Sequence, residues 1–263
     1  MYLKVTAKAL SLQRAVDFHV ILPYHDGYPD PGRPYPTLYL LPGYSCNAEE
    51  IIFGLPLRQM ATLCGIAVVV PDGENAFYTD HPERAANMGV YAGEELVRIT
   101  RRLFPALSRE QKDTFIGGIS MGGYGAFVLG MHYRETFSRM VLFSPSAEPD
   151  RLLSPSMEDI PGAVPPSLFE TLFGGTGVYG SSARLNPARA VESCLREGRQ
   201  IPPVWMCCGK DDLLVGDSCL RLKEILTGAG AGPQWEDGPG GHELTYWDEH
   251  LENAFRFLSR PEK

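Results

Sequence analysis

Gly118, Ser120 and Gly122 form a Gly-x-Ser-x-Gly pattern within Thr114-Phe115-Ile116-Gly117-Gly118-Ile119-Ser120-Met121-Gly122-Gly123-Tyr124-Gly125-Ala126. An apolar run leads into the serine, and a stretch of small residues with helical character leads away. A serine held in a tight strand-to-helix turn projects its hydroxyl clear of the sheet. The flanking glycines are needed because larger side chains would collide there. The chemistry this permits is nucleophilic attack on a carbonyl carbon. The start of the helix also aims its amides and positive dipole end at the reacting oxygen. The backbone N–H of Met121 is therefore an expected oxyanion donor.

A serine hydroxyl is a poor nucleophile at neutral pH and needs a positioned base. Behind a turn of this type the order along the chain is Ser, then Asp or Glu, then His. His132, His242 and His250 follow Ser120, whereas His19, His25 and His81 precede it. His132 falls in the helix leaving the turn, and His250 falls inside the last amphipathic segment. His242 lies in the loop Gly238-Pro239-Gly240-Gly241-His242-Glu243, which can carry an imidazole over the sheet edge, and it is the expected base. The carboxylate should follow the apolar run Val204–Cys208, where Asp211 and Asp212 stand side by side and spacing does not separate them. Asp217 reads better as an N-cap for the helix that follows. A second oxyanion donor should come from Leu41-Pro42-Gly43-Tyr44-Ser45-Cys46-Asn47, with the N–H of Tyr44 the best candidate.

These groups need a frame that brings distant segments to one edge. Leu3 to Leu22 holds two alternating segments around Ser11–Arg14, which predicts an antiparallel strand pair. Tyr24 to Pro36 is rich in Pro, Gly and Asp and reads as a surface loop. Beyond it, short apolar runs at Thr37–Leu41, Ala67–Val70, Thr114–Gly118, Met140–Phe143 and Val204–Cys208 alternate with helical periods. The helices are expected near Glu50–Cys64, Gly89–Leu103, Gly122–Tyr133, Asp217–Ala229 and Leu244–Leu258. This rhythm predicts one α/β domain over residues 1–263, with a mixed, mostly parallel sheet covered by helices on both faces. Residues 144–199 interrupt the rhythm with an irregular, lid-like insertion that carries a short helix at Asn186–Glu197. An insertion at that end of a sheet is expected to wall the substrate pocket.

The 263 residues suit a sizeable core, and a formal charge of −8 argues against a nucleic-acid or anionic-membrane surface. No apolar stretch approaches the roughly 18 residues of a membrane span, and the N-terminus lacks an apolar signal core, so a cytoplasmic enzyme is expected. The six cysteines, at positions 46, 64, 194, 207, 208 and 219, show no disulfide or zinc-site spacing and read as reduced thiols. A homo-oligomer is compatible with the sequence.

With these residues placed, the chain resembles the tributyrin-esterase and S-formylglutathione-hydrolase (esterase D-like) branch of the α/β-hydrolases, which also holds feruloyl esterases and antigen 85 acyltransferases. The resemblance runs from Phe18-His19-Val20-Ile21-Leu22-Pro23 through Leu40-Leu41-Pro42-Gly43-Tyr44, Pro71-Asp72-Gly73 and Gly118-Ile119-Ser120-Met121-Gly122-Gly123. It ends at Gly241-His242-Glu243 and Trp247-Asp248. In that family the acid is the fourth residue of a Gly-x-x-Asp motif after the strand, which implies Asp212. Pro42 departs from the histidine many relatives place before the loop glycine. The implied activity is a cofactor- and metal-independent serine carboxylesterase acting on a small acyl ester, preferentially a short-chain one. The alternatives are an S-formylglutathione-type thioesterase, a feruloyl or acetyl esterase on plant oligosaccharides with Tyr78, Trp235 and Trp247 as stacking candidates, and a non-catalytic binding protein on the same scaffold.

Overall fold

Five short strands are buried along their whole length: β3 (Thr37–Leu41), β4 (Ala67–Pro71), β7 (Thr114–Ile119), β8 (Arg139–Phe143) and β9 (Val204–Gly209). Continuous apolar runs of this kind belong to parallel strands covered on both faces. The computed structural model, which describes residues 1–23, 32–153 and 164–260, places them in one sheet. β1 (Tyr2–Ala9) and β2 (Arg14–Ile21) form the expected antiparallel pair at one edge, and β10 (Gln234–Gly238) closes the other. The order is β1-β2-β4-β3-β7-β8-β9-β10, with every pairing from β4 to β10 parallel. A separate two-residue hairpin joins β5 (Asp80–His81) to β6 (Ala86–Asn87).

Alternate side chains feed two cores. Tyr39, Leu41, Ile116, Met140, Leu142, Met206 and Cys208 point to one face. Leu38, Leu40, Phe115, Val141, Phe143, Trp205 and Cys207 point to the other. The first face is covered by the segment α3 (Met88–Val90), a π-turn (Tyr91–Glu95) and α4 (Leu96–Leu103), together with α5 (Met121–His132), α8 (Pro187–Arg196) and α9 (Gly216–Gly228). The second is covered by α1 (Ala48–Gly54), α2 (Leu57–Cys64) and α10 (Leu244–Leu258). The single helix expected over Glu50–Cys64 is two, because Pro56 cannot continue a helical hydrogen-bond ladder. An Asn47–Glu50 capping box starts the first of them. Between β8 and β9 lie α6 (Pro166–Phe173), α7 (Gly175–Ser181) and α8. Residues 24–31 of the expected surface loop and 154–163 of the expected insertion lie outside the described residues.

The sheet register aligns Leu41, Gly118, Leu142, Met206 and Trp235 across five parallel strands. The loops that follow all leave the same edge. From β3 the chain steps outward to β4 and then returns to β7 on the other side of β3, a reversal that opens a crevice beyond the strand ends. Tyr44 and Ser120 sit on the two sides of that crevice.

Candidate active site

Ser120 adopts φ 57° and ψ −117°, a strained conformation for a residue with a β-carbon. The surroundings hold it there. Its N–H donates to Phe143 O at 2.9 Å, and its carbonyl accepts the N–H groups of Tyr124 and Ser146, each at 3.0 Å. The glycines are sterically required: a β-carbon at Gly118 would lie 2.1 Å from Gly122 O, and one at Gly122 would lie 1.9 Å from Leu41 O. The side chain accordingly stands at the sheet edge on the first residue before α5.

His242 reaches this hydroxyl from the β10–α10 loop. Its Nε2 is 2.9 Å from Ser120 Oγ, and its Nδ1 is 2.8 Å from Asp212 Oδ2. An ionised carboxylate only accepts, so a neutral imidazole making both bonds carries its proton on Nδ1 and presents the Nε2 lone pair to the serine hydroxyl. The second oxygen of Asp212 accepts the N–H groups of Leu214 at 3.1 Å and Val215 at 3.0 Å. Burial pushes the Asp212 carboxyl up, but the hydrogen bond and charge of His242 and the two amides outweigh it and hold the group below the usual aspartate range. The thiol of Cys208 also lies 3.7 Å from Oδ2.

The structure separates the two adjacent acids. Asp212 turns inward to the imidazole, while Asp211 is exposed and props the histidine loop, accepting the Gly240 N–H at 3.2 Å and donating its own N–H to Gly240 O at 3.0 Å. Asp217 is not the cap expected. It lies in the first turn of α9, 81% exposed and 3.8 Å from Arg151, with Val215 at the cap position. The physical reason is that the helix already begins at Gly216, which leaves the Asp217 side chain past the cap position. His132 ends α5 beside Tyr133, and His250 bonds its own helix at Tyr246 O, so neither joins the site.

On the opposite side, the Gly43–Tyr44 loop lies against Ser120, for a β-carbon at Gly43 would meet Ser120 Cβ at 3.4 Å. Tyr78 Oη donates to Pro42 O at 3.0 Å, and Asn75 Oδ1 accepts the Ser45 N–H at 2.6 Å, which fixes the loop from both ends. Met121 opens α5, where first-turn amides have no partner within the helix. Met121 directly follows Ser120, and Tyr44 follows Gly43 in the loop after β3, the strand paired with β7.

Two of the three stacking candidates are scaffold. Tyr78 is buried beneath the loop. Trp247 packs edge-on against the His242 ring, with centroids 5.1 Å apart, and its indole N–H donates to Ser144 Oγ at 3.1 Å. Trp235 is half-buried with Lys223 Nζ over one face. Sequence reasoning missed Ser146, which is buried with its Oγ 3.4 Å from Ser120 Oγ. The Ser144-Pro145-Ser146 stretch lay within a segment read as insertion, and no spacing rule pointed to it.

The Esterase family model matches residues 9–258. An acetyl esterase of Caldicellulosiruptor saccharolyticus is 32% identical over 225 residues, covering 85% of this chain and 83% of that protein. An S-formylglutathione hydrolase of Paracoccus denitrificans is 31% identical over 135 residues, covering 43% of this chain and 47% of that protein. Among solved structures, the fluorophosphonate-binding serine hydrolase FphF of Staphylococcus aureus superposes with a TM-score of 0.84 at 24% identity, covering 99% of both chains. The fold is thus that of the α/β-hydrolase esterases, and the chain belongs to the Esterase family as a hydrolase of carboxylic esters.

Proposed function

We propose that the chain is a carboxylesterase of short-chain acyl esters in which Ser120 is the nucleophile, His242 the general base and acid, and Asp212 the orienting carboxylate. The observation that carries this reading is the unbroken relay from Ser120 Oγ through both imidazole nitrogens to a buried, doubly amide-bonded carboxylate. Ser120 attacks the ester carbonyl as His242 Nε2 takes its proton, and the Met121 and Tyr44 amides receive the developing oxyanion. Collapse of the tetrahedral species expels the alcohol, protonated by His242. Water, deprotonated by the same nitrogen, then cleaves the acyl-enzyme. The segment after β8 supplies Ser146 and the adjoining wall of the site.

The short-chain preference draws support from the acetyl esterase relative. The S-formylglutathione hydrolase relative favours a second reading, a thioesterase using the same residues. Steady-state hydrolysis of p-nitrophenyl acetate, butyrate and octanoate beside S-formylglutathione decides between them. The acetate and butyrate are expected to dominate, while dominance of the thioester would overturn the ester assignment. Ser120→Ala is expected to lower kcat on the acetate by about three orders of magnitude or more. Near-normal turnover in that variant would reject the nucleophile.

A further inference from the structure

Ser144 has φ 41°, in the left-handed region, although it carries a β-carbon and precedes Pro145. A residue before proline favours extended backbone, so this conformation is disfavoured on two counts and its surroundings must hold it. The Ser144 N–H donates to Cys207 O at 2.8 Å, and the Trp247 indole donates to its Oγ at 3.1 Å. The Cys219 thiol donates to Pro145 O at 3.3 Å. Pro145 itself lies on α5, where a β-carbon at Gly123 would come within 2.9 Å of it.

The turn returns Ser146 to the nucleophile. Its N–H donates to the Ser120 carbonyl at 3.0 Å, and its Oγ lies 3.4 Å from Ser120 Oγ. Ser146 is 3% exposed, and among the described residues its hydroxyl has no other protein partner. The protons set the direction of the contact. The Ser120 hydroxyl is committed to His242 Nε2 at 2.9 Å, so the hydrogen between the two serine oxygens is that of Ser146. A separation of 3.4 Å is long for a hydroxyl pair, normally about 2.7–2.8 Å. The bond is therefore weak while Ser120 is neutral, and it strengthens and shortens when negative charge develops on Oγ.

That charge does not count equally in the two half-reactions. In the free enzyme Ser120 Oγ is a hydroxyl oxygen that already accepts from Ser146. In the acyl-enzyme it is an ester oxygen, a poorer acceptor. During deacylation water gives a proton to His242 Nε2 and its oxygen bonds to the acyl carbon. On collapse the bond from that carbon to Oγ breaks, its electron pair moves onto Oγ, and His242 returns the proton there. An interaction accelerates a step only by being stronger in the transition state than in the state before it. Measured from the acyl-enzyme, the gain from Ser146 is larger than when measured from the free enzyme. We propose that Ser146 is an accessory hydrogen-bond donor to the nucleophile and that it promotes release of Ser120 Oγ from the acyl-enzyme. The inference rests on the Ser120 esterase reading and deepens it.

Rapid mixing of p-nitrophenyl acetate with Ser146→Ala separates the half-reactions, because the nitrophenol burst reports acylation and the steady phase reports deacylation. Deacylation is expected to slow by about tenfold and acylation to change by less than about threefold. In steady state kcat and KM then fall together, kcat/KM changes little, and acetylated Ser120 accumulates in quenched samples analysed by peptide mass spectrometry. Loss of a merely structural contact would displace the nucleophile and slow its attack at least as much as its departure. Slowing of acylation as great as that of deacylation, or no change in either, would therefore overturn the donor role. Acetyl on Ser120 in both proteins with indifferent rates would reject the donor role alone. Acetyl on another residue, or no acetylation of the unmodified protein, would reject the Ser120 reading and the donor role with it.

Discussion

Tyr78 shows how a site depends on a residue that never touches the reaction. Its phenol is fully buried, and burial, with Asp72 nearby, raises its pKa well above the ordinary tyrosine value, so it stays protonated and donates to Pro42 O throughout the neutral range. Pro42 lies one residue before Gly43, in the loop that carries Tyr44, the proposed second oxyanion donor. Tyr78→Phe removes one buried hydrogen bond and leaves a carbonyl oxygen unpaired, a cost of about 1–2 kcal/mol. Expressed as displacement of one oxyanion donor, it should lower kcat on p-nitrophenyl acetate by about tenfold with KM little changed. A loss of stability with kcat intact would make Tyr78 a packing residue only. The sequence pointed to Ser120, His242 and the Tyr44 loop because each sits beside glycines in a recognisable turn. Spacing alone could not divide Asp211 from Asp212, since the two differ only in which way the chain turns after Gly209; the family's Gly-x-x-Asp motif was what pointed to Asp212. Nor could the sequence foresee that Tyr78 and Trp247 would brace the loop and the imidazole, because an aromatic residue carries no local sign of what it will pack against.

At the scale of elements, the π-turn Tyr91–Glu95 is a device that positions a buried carboxylate. Glu95 is 4% exposed and accepts the N–H groups of Leu10 and Ser11, each at 2.8 Å, along with the Ser11 hydroxyl, tying the β1–β2 hairpin to the helical layer. Burial pushes its carboxyl up, but the bonds from Ser11 and Leu10 and the charge of Arg98 more than offset this and hold it below the usual glutamate range. Its contribution to stability is therefore complete above the unfolded pKa, about 4.3, and is lost as pH falls through the lower folded value. Glu95→Gln sets an amide N–H₂ against backbone donors and should cost roughly 2–3 kcal/mol at pH 7. The gap between the two proteins should narrow toward pH 3 in urea titrations; a constant gap would contradict the charged role. Strand β10 was illegible for a related reason. Gln234-Trp235-Glu236-Asp237-Gly238 has no apolar run, and its pairing is decided by the free edge of β9. The buried strands were legible because two covered faces demand apolar side chains in both directions.

Across the whole molecule, the sheet has a chemical end and an anchoring end, and α10 joins them. The helix starts just after His242 and ends against the first residue of β8, where Arg139 is 7% exposed and donates to Leu258 O at 2.8 Å and Phe257 O at 3.2 Å. The guanidinium also lies 6.0 Å from the ring centroids of Phe115 and Phe257. A buried cation thus satisfies carbonyls at the helix C-terminus, where the dipole favours positive charge. Arg139→Met keeps much of the aliphatic volume but leaves those carbonyls without their donor, which should cost about 2–4 kcal/mol. Because Arg139 sits at the end of β8 opposite Ser144 and Ser146, the change should act on the population of folded protein and leave the relay at Ser120 in place. Chemical denaturation should report the lowered midpoint, and kcat per folded molecule at low temperature should stay within about twofold of the unmodified protein. A large fall in kcat without loss of stability would mean that α10 transmits the position of its far end to His242, so that the helix, and not the loop before it, sets the geometry of the base.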